Sequence, residues 1–464
     1  MTEAVGAESE QSAGHGEEAS SSPRRSRHVR AAVVVAVLLA LGATRASLFD
    51  IPAPGPDQLK PSPDLPRDRS GSHAFARALG HFQDLTPLYR VIEQYPDSKR
   101  LEVDSTVRTL DGLRAALPEL REAARAEAIA LPVVDSLEAR GAQTERLFGA
   151  VELLLIESRR SLAEGRHDES LEFLRLQLRI TAALARMGGS PWQLNQMVWH
   201  KARAGAILSQ LAEVGALGVE ALEHLIPELV AAQTPDAVFR AAPSRAIAEL
   251  DERLEEVLEN PWQPRNCEAP PSPLIRWNAW HVQPGRTRHE IVRGLTDWRH
   301  EDELARIAAE LRGSGAGPGP AGLGGRLEQT LTRNVLGLVW LRERRSNLAA
   351  GVAWALTGEA MYRMLVMALA SRLHVLRGGR PDGLPEALTP SILPALPADP
   401  FAPERPLALD RKRLELFSLG ADLDGASRLP ALSPALGDAA STRPLDPRYD
   451  LGVWLPPEAD AGAR

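Results

Sequence analysis

Apolar residues recur at intervals of three and four along much of residues 73–312, which is the spacing of one face of an α-helix. Leu171, Leu174 and Leu178 form one such run, with charged residues at several of the positions between them. A helix of this kind buries its apolar face against neighbouring helices and leaves its charged face in water. The pattern therefore predicts a mainly α-helical protein.

Proline and capping residues mark where several of these helices begin. In residues 190–193 (SPWQ), a serine suited to the N-cap precedes a proline, and a glutamine follows three positions after the serine. Such a sequence satisfies the free amide groups of a first helical turn, and Thr234-Pro235 repeats its first half. The short connections predict consecutive antiparallel helices, arranged as a bundle or as an array of helical hairpins.

The N-terminal part of the chain has a different pattern. Residues 1–30 are polar and end in a dense cluster of arginines, whereas residues 31–49 carry no charge apart from Arg45. A basic flank before an apolar run is typical of a signal anchor, and the positive-inside rule keeps the arginines in the cytoplasm. We therefore expect a disordered cytoplasmic tail, a single transmembrane helix at residues 31–49, and the bulk of the chain in the periplasm or otherwise outside the cytoplasm. A signal cleaved after Ala46 is the alternative.

Two segments rich in proline or glycine divide the rest of the chain. Residues 50–72 are rich in proline, which favours an extended spacer that lifts the folded part off the membrane. Residues 313–325 (GSGAGPGPAGLGG) have the composition of a flexible linker. They predict a domain boundary between a helical domain at residues 73–312 and a long helix at residues 326–377.

The long helix is apolar on nearly all sides over residues 352–376. Glu359, Arg363 and Arg372 lie within this stretch, and each charge would be costly at the centre of a bilayer. The stretch therefore predicts a buried central helix and not a second membrane span, with a break near Gly351 or Gly358.

Residues 378–464 form a C-terminal module that is rich in proline and glycine. Short apolar runs bounded by turn residues predict strands at residues 405–409, 413–418 and 451–455. Strands this short form only a small β-meander, which needs the preceding helix for its stability.

Two motifs in this module carry a resemblance to a known family. Residues 396–401 read LPADPF and residues 417–425 read FSLGADLDG, and after a long helix they resemble the C-terminal module of type II secretion pseudopilins. The resemblance implies an accessory of a secretion apparatus and calcium ligands at Asp422 and Asp424, although a plain Asp-Gly turn accounts for the same residues. The chain departs from the family because residues 31–49 contain no glutamate and the helical domain separates them from the module.

Composition narrows the classes of function. The chain of 464 residues is 44% hydrophobic and 25% charged, as in globular proteins, and its formal net charge of −7 gives no electrostatic basis for binding nucleic acid. Cys267 is the only cysteine. The chain therefore forms no internal disulfide and builds no thiolate metal site.

A segment with clustered tryptophan and histidine interrupts the helical pattern between residues 261 and 284 and continues into the next helix. Such residues line a ligand cleft, anchor a protein at a membrane interface, or cover the end of a helical bundle. The candidate residues are Trp277, Trp280, His281, Trp298, His300 and Glu301.

The sequence contains no motif for a serine hydrolase, a phosphate-binding loop or a zinc protease. The leading hypothesis is therefore a membrane-anchored, non-enzymatic scaffold of the cell envelope that binds other envelope proteins. No cofactor is expected, and calcium is implied only by the resemblance. One alternative is an accessory of a secretion apparatus. The other is an enzyme with its site near Trp277 to Glu301.

Overall fold

The computed structural model describes eleven segments of the chain. They are residues 33–35, 52–54, 69–82, 104–129, 137–187, 191–259, 284–296, 335–380, 385–410, 415–418 and 451–454. These segments are mainly helical, with small antiparallel sheets near the C-terminus. The predicted mainly α-helical class is confirmed.

The helices follow one another with short connections over much of the chain. Helix α5 begins at Pro191 and α7 at Asp236, directly after Thr234-Pro235, so both predicted helix starts are confirmed. The helices are α1 (Arg69–Gly80), α2 (Asp104–Ala123), α3 (Leu137–Ala163), α4 (His167–Met187), α5 (Pro191–Glu213), α6 (Val219–Ala231), α7 (Asp236–Glu259), α8 (Pro284–Thr296) and α9 (Val335–Leu376).

Several successive helices pack against each other as hairpins, among them α1 with α2 and α3 with α4. Gly165 lies in the α3–α4 turn with a φ of 75°, and Gly215 lies in the α5–α6 turn with a φ of 76°. Residues with a Cβ rarely adopt this left-handed conformation, so glycine permits both tight reversals. The α3–α4 hairpin is also joined by the buried Ser158 hydroxyl, which donates to the Ser170 carbonyl at 2.8 Å.

Helices α5 and α9 run parallel, with facing positions that advance by seven residues on each helix. The facing pairs are Pro191 with Gly351, Val198 with Gly358, Gly205 with Leu365, and Ala212 with Arg372. A repeat of seven keeps one seam of each helix in contact over several turns.

Glycine allows these two helices to approach closely. A Cβ at Gly358 would lie 2.9 Å from Val198 Cγ1, and one at Gly205 would lie 2.9 Å from Leu365 Cδ2. Helix α9 continues through both Gly351 and Gly358, so the break predicted there is wrong. These glycines act as packing positions, because the helical backbone tolerates glycine at a cost of about 1 kcal/mol while contact with α5 offsets that cost.

One hydrophobic core includes residues from both sides of residues 313–325. Leu154 and Leu208 are fully buried before this segment, and Tyr362 and Val366 are fully buried after it. The long helix is therefore buried as expected. It shares its core with the earlier hairpins and does not form a core of its own.

The C-terminal module contains two small antiparallel sheets. Strands β1 (Ala398–Asp399) and β2 (Ala402–Pro406) form one, and β3 (Ala408–Asp410), β4 (Glu415–Ser418) and β5 (Leu451–Trp454) form the other in the order β3-β4-β5. The side chains of Phe401 and Leu407 are 2% exposed and belong to the main core. The module is thus attached to the helices through its apolar side chains.

Among the described residues, no helix is both long enough and apolar enough to cross a membrane. The predicted anchor at residues 31–49 lies outside the described segments except for Val33, Val34 and Val35. These three residues are helical and more than half exposed. The anchor stays a prediction.

Candidate functional site

The most concentrated group of buried charges in the described segments lies between α5, α9 and the α6–α7 turn. Lys201 of α5 has a fully buried side chain whose Nζ donates to Glu359 Oε2 at 2.7 Å, to Thr234 Oγ1 at 2.5 Å and to the Ala232 carbonyl at 3.1 Å. Its Nζ also lies 4.8 Å from the centre of the Tyr362 ring. An ammonium group has three hydrogens to donate, so all its donors are used within the chain.

Glu359 of α9 is the centre of this group, which we call the Lys201–Glu359 network. Its Oε1 accepts the Thr234 backbone amide at 2.9 Å and Arg363 Nε at 3.2 Å. Arg363 then donates to the Thr234 carbonyl, to Asp236 Oδ1 and to the Ala398 carbonyl, each at 2.9 Å. The network thereby joins α5, α9, the start of α7 and strand β1.

The buried position of the network changes the titration of its members. Burial lowers the pKa of Lys201, and Glu359 opposes that effect. Burial also acts to lower the pKa of Arg363, but Glu359 and Asp236 outweigh it and the pKa is raised. Burial, together with Glu359, raises the pKa of Tyr362 well above its ordinary value, so the tyrosine is neutral and donates its hydroxyl hydrogen to the Leu229 carbonyl at 3.0 Å.

This chemistry is suited to holding helices together. A lysine that acts as a nucleophile or base needs a free amine within reach of a substrate. Lys201 has 0% of its side chain exposed and donates to three groups of the chain itself. The network therefore serves the fold, since it ties together segments that are distant in sequence.

A second charged group joins α3 to α5. Arg203 donates two parallel hydrogen bonds of 2.6 Å each to the Glu152 carboxylate, the bidentate geometry that arginine favours. Burial acts to raise the pKa of Glu152, but Arg203 and His200 outweigh it and the pKa falls to about 2. Glu152 is therefore ionised over the whole physiological range.

His200 completes this second group. Its Nδ1 lies 3.2 Å from Glu152 Oε2, and its ring stacks on Phe148 with 5.7 Å between ring centres. Within the described part of the chain neither ring nitrogen is aligned with a hydrogen-bond partner.

A third polar contact joins the two motifs of the C-terminal module. Asp399 Oδ1 accepts the Phe401 backbone amide at 3.0 Å, which closes the turn of the LPADPF motif. The same oxygen accepts the Ser418 hydroxyl at 2.8 Å, and Ser418 belongs to the FSLGADLDG motif. The two stretches that carry the pseudopilin resemblance therefore meet at one buried carboxylate.

The residues predicted from sequence to form a site all lie outside the described segments. This applies to Trp277, Trp280, His281, Trp298, His300 and Glu301, and to the calcium candidates Asp422 and Asp424. Among the described residues, no group of three His, Cys, Asp or Glu side chains could hold a metal ion. The cleft, the enzyme alternative and the calcium site stay predictions.

Sequence reasoning used Glu359 and Arg363 only as evidence against a membrane span. Charges within an otherwise apolar helix did signal that each needs a partner. The partners could not be named, because Lys201 lies 158 residues from Glu359 and nothing local marks the pair. Glu152, His200 and Arg203 likewise resemble ordinary surface positions of amphipathic helices in the sequence.

No protein-family model, curated protein or solved structure matches the chain. The resemblance to pseudopilins in residues 396–425 therefore stays a prediction. The surfaces and contacts of the described segments are the remaining basis for a function.

Proposed function

We propose that this chain is a membrane-anchored, non-enzymatic helical protein of the cell envelope that binds other proteins. The basic cluster and apolar run at residues 24–49 support the anchor and the extracytoplasmic location of the bulk. The Lys201–Glu359 network supports the non-enzymatic role, because its reactive groups are used to join helices. The mainly helical body supports protein binding, since arrays of helical hairpins offer long continuous surfaces.

The observation that carries the proposal is a set of exposed apolar side chains at one end of the helices. Val214, Val219 and Leu376 are 55%, 37% and 45% exposed, and we call them the apolar end. Within the described segments, the only other large apolar residues exposed to this degree are those of the predicted anchor, Val33–Val35.

Polar contacts hold together the helix ends that carry these three residues. Arg377, next to Leu376, pairs with Glu223 of α6 at 2.7 Å, and Glu223 lies one helical turn after Val219. Arg372 of α9 donates to the Ala212 carbonyl at 2.9 Å, near Val214. An apolar centre with a charged rim is the usual anatomy of a protein-binding surface.

The test is cross-linking in cells followed by affinity purification of the full chain from detergent-solubilised membranes. We compare the natural chain with a Val219→Ser, Leu376→Ser double variant. A matched control carries Arg125→Ser, an exposed position on the first hairpin. We expect specific envelope partners with the natural chain and the control, and recovery at least roughly tenfold lower with the double variant, equivalent to about 1.4 kcal/mol.

Two outcomes would contradict this proposal. If the natural chain is cross-linked and recovered without a specific partner, the interaction role is wrong. If the double variant retains every partner, binding occurs elsewhere on the chain and the apolar end is not the interaction surface.

A second candidate is an accessory of a secretion apparatus, favoured by the contact between Asp399 and Ser418 that unites the two motifs. Deleting the module is a poor test, because it would remove the buried Phe401 and Leu407 and leave Arg363 without its Ala398 partner. Ser418→Ala removes the hydrogen bond to Asp399 and keeps the buried apolar groups. We expect secretion components to co-purify with the natural chain and to be lost with Ser418→Ala, while the helical circular dichroism is unchanged. Their absence from the purification of the natural chain would contradict this candidate.

A further inference from the structure

The chain that follows the predicted anchor returns directly to the helical body. The Pro52 carbonyl lies 2.8 Å from His289 Nε2 of α8. Because a carbonyl oxygen only accepts hydrogen bonds, Nε2 is the protonated nitrogen and donates. Pro54, two residues further on, is buried. Residues 52–54 of the proline-rich segment therefore pack on the body.

This contact limits the distance between α8 and the membrane. Phe49 is the last residue of the predicted anchor, and an extended chain spans at most about 3.6 Å per residue, so Pro52 lies within about 11 Å of it. The headgroup layer on each side of a bilayer is roughly 5–8 Å thick. If residues 31–49 span the membrane, α8 lies beside the headgroups.

The outer face of α8 has the charge expected for that position. His289 and Arg293 are exposed one helical turn apart, and Arg286 lies one turn before His289. The Arg293 side chain is 78% exposed, and its 3.9 Å contact with Glu290 is a weak surface pair. The opposite face is buried through Thr287 and Ile291, so the basic residues face outward.

We propose that α8 is the membrane-facing element of the helical body, with Arg286 and Arg293 in contact with anionic phospholipid headgroups. The inference rests on the proposed anchor and adds to it a defined orientation of the body. A basic residue is attracted to an anionic surface, and the two arginines and the anchor act together. The body then lies on the bilayer through α8.

The test measures the distance of α8 from the headgroups in the full chain. The protein is placed in nanodiscs of phosphatidylethanolamine with a minority of phosphatidylglycerol, in a Cys267→Ser background, with a bimane label at Glu290→Cys. Glu164→Cys, on the α3–α4 turn, is the matched control, because both glutamates are surface residues near an arginine and are 41% and 45% exposed. A nitroxide attached to the lipid headgroup quenches the fluorescence of a bimane label that lies close to it.

We expect the headgroup nitroxide to remove most of the fluorescence at position 290 and little at position 164. We also expect Arg286→Gln with Arg293→Gln, or nanodiscs of phosphatidylcholine alone, to reduce the quenching at position 290. Equal quenching at both positions would overturn the proposed orientation. Quenching at 290 that is insensitive to both the charge change and the lipid change would overturn the headgroup contact.

A third label separates this inference from the anchor on which it depends. Bimane at Val35→Cys is tested with a nitroxide on the lipid acyl chain. Quenching at Val35 without quenching at 290 overturns the α8 surface and leaves the anchor in place. The absence of quenching at both positions overturns the anchor and the α8 surface together.

Discussion

Two ion pairs of the same length have very different surroundings in this molecule. Lys201 and Glu359 are 2.7 Å apart between α5 and α9, with both side chains fully buried. Arg77 and Glu122 are also 2.7 Å apart between α1 and α2, with side chains 55% and 54% exposed. The distance between the charges therefore does not determine how much either pair contributes to stability. The exposure of the pair to water does.

The difference in exposure determines how each pair affects the stability of the fold. An exposed pair is screened by water and salt, and many such pairs contribute less than about 1 kcal/mol. A buried pair loses its hydration on folding, so its net contribution is small while the loss of one partner is severe. The Lys201–Glu359 network thus specifies which turn of α5 faces which turn of α9. Four experiments test this comparison.

The largest effect is expected from Lys201→Met, which leaves Glu359 charged and buried without its lysine. We expect the free energy of unfolding to fall by about 3–5 kcal/mol, measured by chemical denaturation of the full chain in detergent. Adding Glu359→Gln to Lys201→Met removes the buried charge and should restore part of that loss. If the double variant is less stable than the single variant, the buried charge of Glu359 is not the cause of the stability lost in Lys201→Met.

Acid should weaken the ion pair between Glu152 and Arg203 and lower the stability of the protein. The pKa of Glu152 is lowered from 4.5 to about 2, so its stabilising effect is present above pH 4.5 and is lost as the pH falls towards 2. We expect this carboxylate to account for roughly 2–3 kcal/mol of that loss. Unfolding measured against pH should show a shallower acid limb in Glu152→Gln than in the natural chain. Identical limbs would contradict the assignment.

The glycine contact between α5 and α9 should have an intermediate effect. In Gly358→Ala the new methyl group would meet Val198 Cγ1 at 2.9 Å, and the crowding of about 1–3 kcal/mol outweighs the gain in helix propensity of about 1 kcal/mol. Gly80→Ala is the control, since a Cβ there meets nothing within 4 Å. We expect a lower midpoint of thermal unfolding for Gly358→Ala only. A stabilised Gly358→Ala would show that the helices separate without cost.

The smallest effect is expected at the exposed pair on the first hairpin. Arg77→Gln removes the contact with Glu122, and we expect the free energy of unfolding to change by less than about 0.5 kcal/mol. The change should become smaller still at high salt, because salt screens exposed charges. A loss as large as that of Lys201→Met would remove the distinction between the two pairs.

Local features of the sequence predicted the helices well. Leu171, Leu174 and Leu178 recur at helical spacing and lie in α4, and Pro191 begins α5. The strand expected at residues 413–418 includes β4, Glu415–Ser418. Such features succeed because capping and periodicity depend on neighbours within a few residues.

Long-range features could not be predicted in the same way. Gly358 resembles a helix breaker in the sequence, and only its contact with Val198 identifies it as a packing position. The partner of Glu359 lies in a different helix, so the candidate network depends on how α5 and α9 are aligned. The Asp399–Ser418 hydrogen bond lies between these two cases. The sequence shows both motifs, but it does not show that they make contact.

The parallel alignment of α5 with α9 also has a consequence for the order in which the protein is made. Ala212 and its partner Arg372 are separated by 160 residues, which a ribosome takes roughly ten to thirty seconds to add. During that interval the nascent α5 carries a seam of Val198, Lys201 and Gly205 that has no partner. Lys201 stays hydrated until Glu359 emerges, so the core closes late in synthesis.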